Sequence, residues 1–158
     1  MNITKKLSKD YSYISFCNHN HFGGTPRDAV APTSAYVDAS IEAGYKKVAI
    51  TEHGGFTCMQ TAYDYIAKRK IPLNIVYGLE AYIEVPPFAM NEKAGHMILL
   101  AVDEQGKHII DKLNSNAEGT RLGSPVISRK QLESIKFDGH VIATSACISG
   151  APSLALLY

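Results

Sequence analysis

The chain has no tryptophan, only three cysteines in 158 residues, and no excess of charge of either sign. Cys17, Cys58 and Cys147 are an odd number without paired spacing, so they spell neither a disulfide framework nor a Cys-x-x-Cys metal knuckle. Such usage suits a reducing compartment. No apolar run reaches the roughly 18 residues that a membrane-spanning helix needs, so no such span is suggested. Residues 1–10 are polar and charged and lack the apolar centre of a signal peptide, so the expected location is cytoplasmic. With 16 basic and 15 acidic side chains the net charge is +1, which excludes a whole-surface field that draws in nucleic acid. Any contact with DNA must then come from a local patch or from a larger parent protein. Internal repeats, low-complexity tracts and long linkers are also missing.

What is present is enough apolar material for a core, 46% of residues, at a length that fits one domain. Residues 13–17 read as a strand that ends in Asn18-His19-Asn20-His21. A helix opens at Pro32 and Thr33 or Ser34, with Val37 and Ile41 inward, and Gly44 stops it. Residues 47–51 form a second strand, ending at Glu52-His53-Gly54-Gly55. Met59, Ala62, Tyr63, Ile66 and Ala67 recur at helical spacing up to about Arg69, and Pro72 breaks that helix. Residues 74–77 are a third strand. Its extended continuation to Pro86 alternates Leu79, Ala81, Ile83 and Val85 with Glu80, Tyr82 and Glu84. His96 precedes a fourth strand over 97–102. Ile109, Ile110 and Leu113 mark a helix, and residues 114–125 read as loop. Ser128 and Gln131 form a capping-box pattern before Leu132. Residues 140–145 are a late strand, and residues 151–158 begin another helix. Strand-then-helix order predicts an α/β fold with mostly parallel strands.

Four of six histidines sit beside these apolar runs: His19 and His21 after the first, His53 after the second, His96 before the fourth. Glu52, Glu80 and Cys147 occupy comparable places. In parallel α/β folds, residues just past strand carboxyl ends line one shared mouth. His19 and His21, two apart in an extended segment, face the same side. Imidazole, carboxylate and thiolate make up a ligand set for zinc or a similar metal. Taken singly, each is better explained by a hydrogen-bonded structural role. Their recurrence at successive strand termini is what a structural role leaves unexplained. His108 reads as solvated helix surface and His140 as a strand-start residue without a matching partner. Cys17 reads as core, and Cys58 as a helix-start residue.

Asn18-His19-Asn20-His21, Thr51-Glu52-His53-Gly54, Gly78-Leu79-Glu80-Ala81-Tyr82 and His96-Met97-Ile98-Leu99-Leu100-Ala101 resemble, in order and approximate spacing, successive motifs of PHP domains. Ser145-Ala146-Cys147-Ile148-Ser149-Gly150 is similar to the Ser-Gly-Cys-Leu-Ser-Gly segment of bacterial-type DNA polymerase III alpha subunits, whose amino-terminal domain is of this kind. The resemblance covers about Ser12 to Leu157. It implies a distorted, TIM-like β/α barrel with two or three divalent metals (zinc, manganese or iron). His19, His21 and Glu80 would hold the first. Glu80 would bridge to a second on His96 and Cys147, and Asp28 and His53 would hold a third. Glu80, His19 and His21 would then act in catalysis through the bound metal. Glu52 stands where the family usually has Asp, and would orient a neighbour rather than bind. The family's last motif, an Asp and a His from a later strand, does not occur. The expectation is therefore a single PHP domain over 1–158, truncated before that motif and left with an open sheet edge.

Three functions follow from the resemblance. The first is metal-assisted phosphoester hydrolysis, as proofreading 3′–5′ exonuclease, with the 3′ end of DNA and the remainder of a polymerase chain as partners. The second is an inactive structural module that binds an exonuclease subunit or steadies the polymerase. The third is a free-standing phosphatase of the histidinol-phosphatase type.

Overall fold

The computed structural model describes residues 16–17, 30–85, 94–117, 119–121, 124–147 and 150–153. His19, His21 and Asp28 lie outside them, as do residues 13–15 and 154–158. The chain divides into two compact units, one of residues 1–52 and 56–76, the other of residues 53–55 and 77–158.

In the first unit, strand β1 (Phe16–Cys17) pairs in parallel with β2 (Lys47–Ile50), with Cys17 opposite Val48. Val48, Ala49 and Ile50 are all buried, as befits a strand covered on both faces. Helix α1 (Thr33–Glu42) starts behind Pro32, and Gly44 at φ +82° closes it by donating to the Ile41 carbonyl. Val37 points inward as expected, but Ile41 is 36% exposed. The buried arc of α1 runs through Thr33, Val37 and Ser40, and Ile41 falls at its margin. Helix α2 (Met59–Arg69) ends at Lys70, which is left-handed at φ 54°, so the chain has already turned before Pro72. Tyr65 on α2 donates to Asp38 on α1, and the acceptor carboxylate raises the phenol pKa.

Strand β3 (Asn74–Glu84) is one continuous element whose first residues belong to the first unit and whose remainder belongs to the second. The expected alternation of buried and solvated positions does not hold. Residues 78–83 are buried on both faces, and the end residues Asn74 and Glu84 are exposed. In the second unit β4 (Ala94–Ala101) runs antiparallel to β3, with Tyr82 opposite His96 and Glu80 opposite Ile98. Strand β7 (Val141–Ser145) runs antiparallel to β4. Strands β5 (Gly119–Arg121) and β6 (Ser124–Ile127) form a hairpin, and β6 joins β3 in parallel. The strand path is β1-β2-β3-β4-β7.

The fold is therefore a mixed α/β fold, and the expectation of mostly parallel strands is corrected. The cause lies in chain length. Only residues 85–93 separate β3 from β4, fewer than the dozen or so that a parallel crossover needs. The loop expected over 114–125 is corrected too: it holds the last turn of a helix and most of the β5–β6 hairpin. Its glycines and Pro125 conceal strands that the backbone ladder nevertheless forms.

Helix α3 (Glu104–Ser115) buries Ile110 and Leu113 and starts at Asp103, whose side chain accepts from the Gly106 N–H at 2.9 Å. Gly106 allows a close approach: a Cβ there would sit 2.0 Å from the His140 carbonyl oxygen. His140 has a structural partner that the sequence did not identify, with its Nδ1 2.7 Å from Asp103 Oδ2. That pairing joins residues 37 positions apart, beyond the reach of local pattern. Helix α4 (Arg129–Glu133) carries the anticipated capping box. Gln131 N–H donates to Ser128 Oγ, and Ser128 N–H donates to Gln131 Oε1. Residues 151–153 are helical. Among the described residues no helix is long and apolar enough to cross a membrane.

Candidate metal centre

Glu80 and Tyr82 are two residues apart on β3 and so share a face. The antiparallel register puts Ile98 opposite Glu80 and His96 opposite Tyr82 on that face. His53 arrives from another direction. It forms a lone parallel bridge to Glu80, and the next N–H, of Gly54, donates to the Glu80 carbonyl at 2.9 Å. Asn114, in the last turn of α3, donates through Nδ2 to the Gly54 carbonyl at 3.2 Å. The turn after His53 is thus held by β3 on one side and by α3 on the other. Cys147 follows β7 by two residues. Gly150 donates to its carbonyl at 2.8 Å and bridges to His96, which brings the thiol segment to β4.

The side chains converge accordingly. Glu80 is buried, at 2% exposure. Its Oε2 lies 2.9 Å from His53 Nδ1 and its Oε1 3.6 Å from His96 Nδ1. One ligand atom from each of His53, Glu80 and His96 falls within 4.8 Å of the others. Cys147 Sγ is 3.6 Å from His96 Nδ1, and this thiol is exposed. Tyr82 packs beside the two imidazoles, whose ring centroids are 5.5 Å apart. Its ring meets His96 edge-on at 4.6 Å and stacks on His53 at 5.9 Å, with the hydroxyl 3.4 Å from His53 Nδ1.

A carboxylate taken from water into such a place costs several kcal/mol unless positive or donor groups face it. Here two imidazoles do. The same set, two imidazoles and a carboxylate with a thiol beside them, matches the donors that tetrahedral zinc and its neighbours select. Donor atoms about 2.0–2.3 Å from a common ion lie within about 4.6 Å of each other, which is the scale of this cluster. The residues fit a divalent cation on chemistry and on spacing.

Of the residues singled out from sequence, the structure brings together His53, Glu80, His96 and Cys147. The resemblance groups His53 with Asp28, whereas the described geometry joins its ring to Glu80. Glu52 is buried, 1% exposed, and belongs to the first unit. The expectation that ligands stand just past strand ends needs correcting for two of them. Glu80 lies in the middle of β3 and His96 inside β4, because the strands extend further than their apolar runs. Two contributors escape the sequence pattern. Tyr82 is visible there only as part of Gly78-Leu79-Glu80-Ala81-Tyr82, and Asn114 gives no signal at all.

The profile of the PHP domain matches residues 18–158 of the chain. A DNA-directed DNA polymerase of Bacillus phage SPbeta is 26% identical over 150 residues, which is 82% of this chain and 12% of that polymerase. The PolC-type DNA polymerase III of Halalkalibacterium halodurans is 33% identical over 84 residues, 52% of this chain and 6% of the polymerase. Among solved structures, one named as a metal-dependent phosphoesterase from Bifidobacterium adolescentis superposes with a TM-score of 0.47 at 18% identity. That superposition takes in 66% of this chain and 33% of the other. The chain spans a small fraction of the length of each polymerase that it matches.

Proposed function

The chain belongs to the PHP domain family, and from that premise we propose that it is the metal-binding phosphoesterase domain of a replicative DNA polymerase of the III alpha or PolC type. One observation carries the reading: His53, Glu80 and His96 present ligand atoms within 4.8 Å of one another, with Cys147 alongside. In the full reading His19, His21 and Asp28 complete a site for two or three divalent ions, Glu52 orients a ligand, and the sheet belongs to a distorted β/α barrel. Residues 1–158 then lie within a single PHP domain. The substrate is the 3′ end of DNA, and the rest of a polymerase chain and an exonuclease subunit are the protein partners.

A bound divalent ion supplies Lewis acidity toward phosphate oxygens and a hydroxide at neutral pH. The chain's own residues do the remainder. Glu80 spans both imidazoles and brings the negative charge that a cation requires. Tyr82 and Ile98, both buried, keep that face of the sheet dry, which strengthens every charge interaction within it. Asn114 and the Glu80 backbone hold the turn that carries His53.

Elemental analysis of the purified chain should find zinc, manganese or iron. A single-stranded oligonucleotide labelled at its 3′ end should release nucleotides, and Glu80→Gln should lose both properties. Phosphate released from small monoesters without oligonucleotide cleavage would instead identify a small-molecule phosphatase. Absence of metal and of hydrolysis would end the catalytic reading.

A second reading has its own support. The His53–Glu80 distance of 2.9 Å is short enough for a hydrogen bond from the His53 ring to satisfy the buried carboxylate without an ion. In that reading the domain is a structural module of the polymerase, and metal content is the measurement that separates the two.

A further inference from the structure

With a net charge of only +1, attraction to nucleic acid needs a local patch. A cleft of about 260 Å³ in the second unit has the right composition. One wall is the face of α3 that carries Gln105, His108, Ile109 and Lys112, and the other is the segment Ser134, Ile135 and Lys136 just past α4. No carboxylate is among the lining residues.

Four of the acids nearby are engaged elsewhere, and Asp138, two residues past Lys136, is not among the lining residues. Glu104 pairs with Lys107, Glu133 with Arg129, Asp103 with His140, and Asp111 accepts from Tyr77. Among the described residues, Lys112 and Lys136 have no carboxylate partner, so their charges stay uncompensated at the cleft. The half-buried Ile109 and Ile135 supply an apolar patch between them. Two unpaired ammonium groups, hydroxyl, amide and imidazole donors, and a strip of apolar surface suit a phosphodiester with its sugar and base. An isolated small anion would use only the charges.

We infer that this cleft binds the backbone of single-stranded nucleic acid, with Lys112 and Lys136 each on a phosphate. The charge pattern stands independently of the proposed metal centre. Only the choice of nucleic acid over another polyanion rests on the polymerase reading.

The test uses the full 158-residue chain and a fluorescent single-stranded oligonucleotide, with anisotropy read in chelator so that the metal centre is out of play. Lys112→Ala/Lys136→Ala should weaken binding by more than about tenfold. It should also flatten the dependence of log K on log salt by roughly 0.7 for each phosphate no longer neutralised. Lys112→Arg/Lys136→Arg should restore most of the affinity, and Lys68→Ala in the first unit should change nothing. Equal binding by wild type and the double alanine variant overturns the inference, as does no binding by wild type. It is also overturned if inorganic phosphate or polyglutamate shifts the Lys112 and Lys136 resonances while the oligonucleotide does not. If the chain proves to hold no metal yet binds the oligonucleotide as described, the metal reading fails and this one stands.

Discussion

Glu80 sits at 2% exposure with one carboxylate oxygen toward each of two imidazoles. Glu80→Gln keeps the volume and removes the charge. The expected result is a fall of more than about tenfold in metal retained after gel filtration, with the far-ultraviolet circular dichroism preserved. Asn114 touches no candidate donor atom directly, but its amide holds the carbonyl next to His53. Asn114→Ala should therefore weaken metal affinity by about 10- to 100-fold in a chelator competition, the range seen when a group that orients a ligand is removed. An unchanged affinity would mean that β3 alone fixes the turn. At this scale His53, Glu80, His96 and Cys147 are legible because ligand-type side chains recur beside apolar runs and keep a family's order. Asn114 is illegible because one asparagine late in an amphipathic helix looks like any other. Its importance comes from a tertiary hydrogen bond to a residue 60 positions away.

Helix α3 is fastened at both ends, and the fastenings can be tested apart. Gly106→Ala would gain about 1 kcal/mol of helix propensity. It would also drive a Cβ to 2.0 Å from the His140 carbonyl oxygen, a backbone atom that cannot swing aside. Displacements of this kind cost about 1–3 kcal/mol. The net expectation is a lower Tm, where propensity alone would raise it. Asp103 is held below the usual carboxylate range, first by the Gly106 N–H and then by the His140 ring. A carboxyl depressed on folding stabilises above its unfolded value, near about 3.9, and loses that contribution as pH falls through the folded value. Asp103→Asn should therefore be less stable than wild type at pH 7, with the gap closing below about pH 4. Thermal melts across that range measure it. Ser128→Ala should cost about 1 kcal/mol by removing one half of the α4 capping box. Helices are the most legible elements. Apolar spacing matches Met59–Arg69, and Ser128 with Gln131 announces α4. The end of α2 at Arg69 is legible as well, although the left-handed turn at Lys70 that makes it is not, because nothing in a lysine signals such a turn. The β5–β6 hairpin is hidden because residues that usually mark loops stand within it.

For the whole molecule, ligand linkage gives the scale of the metal's effect. An ion at about 100 times its Kd adds about 2.7 kcal/mol, which is roughly 5–10 °C in the melting temperature of a chain this size. A chelator should produce that drop, and an unchanged Tm would uncouple the centre from stability. The α/β class is legible from the order of elements. Strand direction is not, since polarity is set by connection length and by pairing between distant segments, and apolar runs carry neither. The convergence of His53, Glu80, His96 and Cys147 has one more consequence. These residues are separated by long stretches of chain, so an ion gripping them acts as a reversible staple that closes several loops of the denatured ensemble at once. A protease that attacks open chains should then find the loaded protein slower to nick throughout residues 53–147, and at cut sites far from the staple itself.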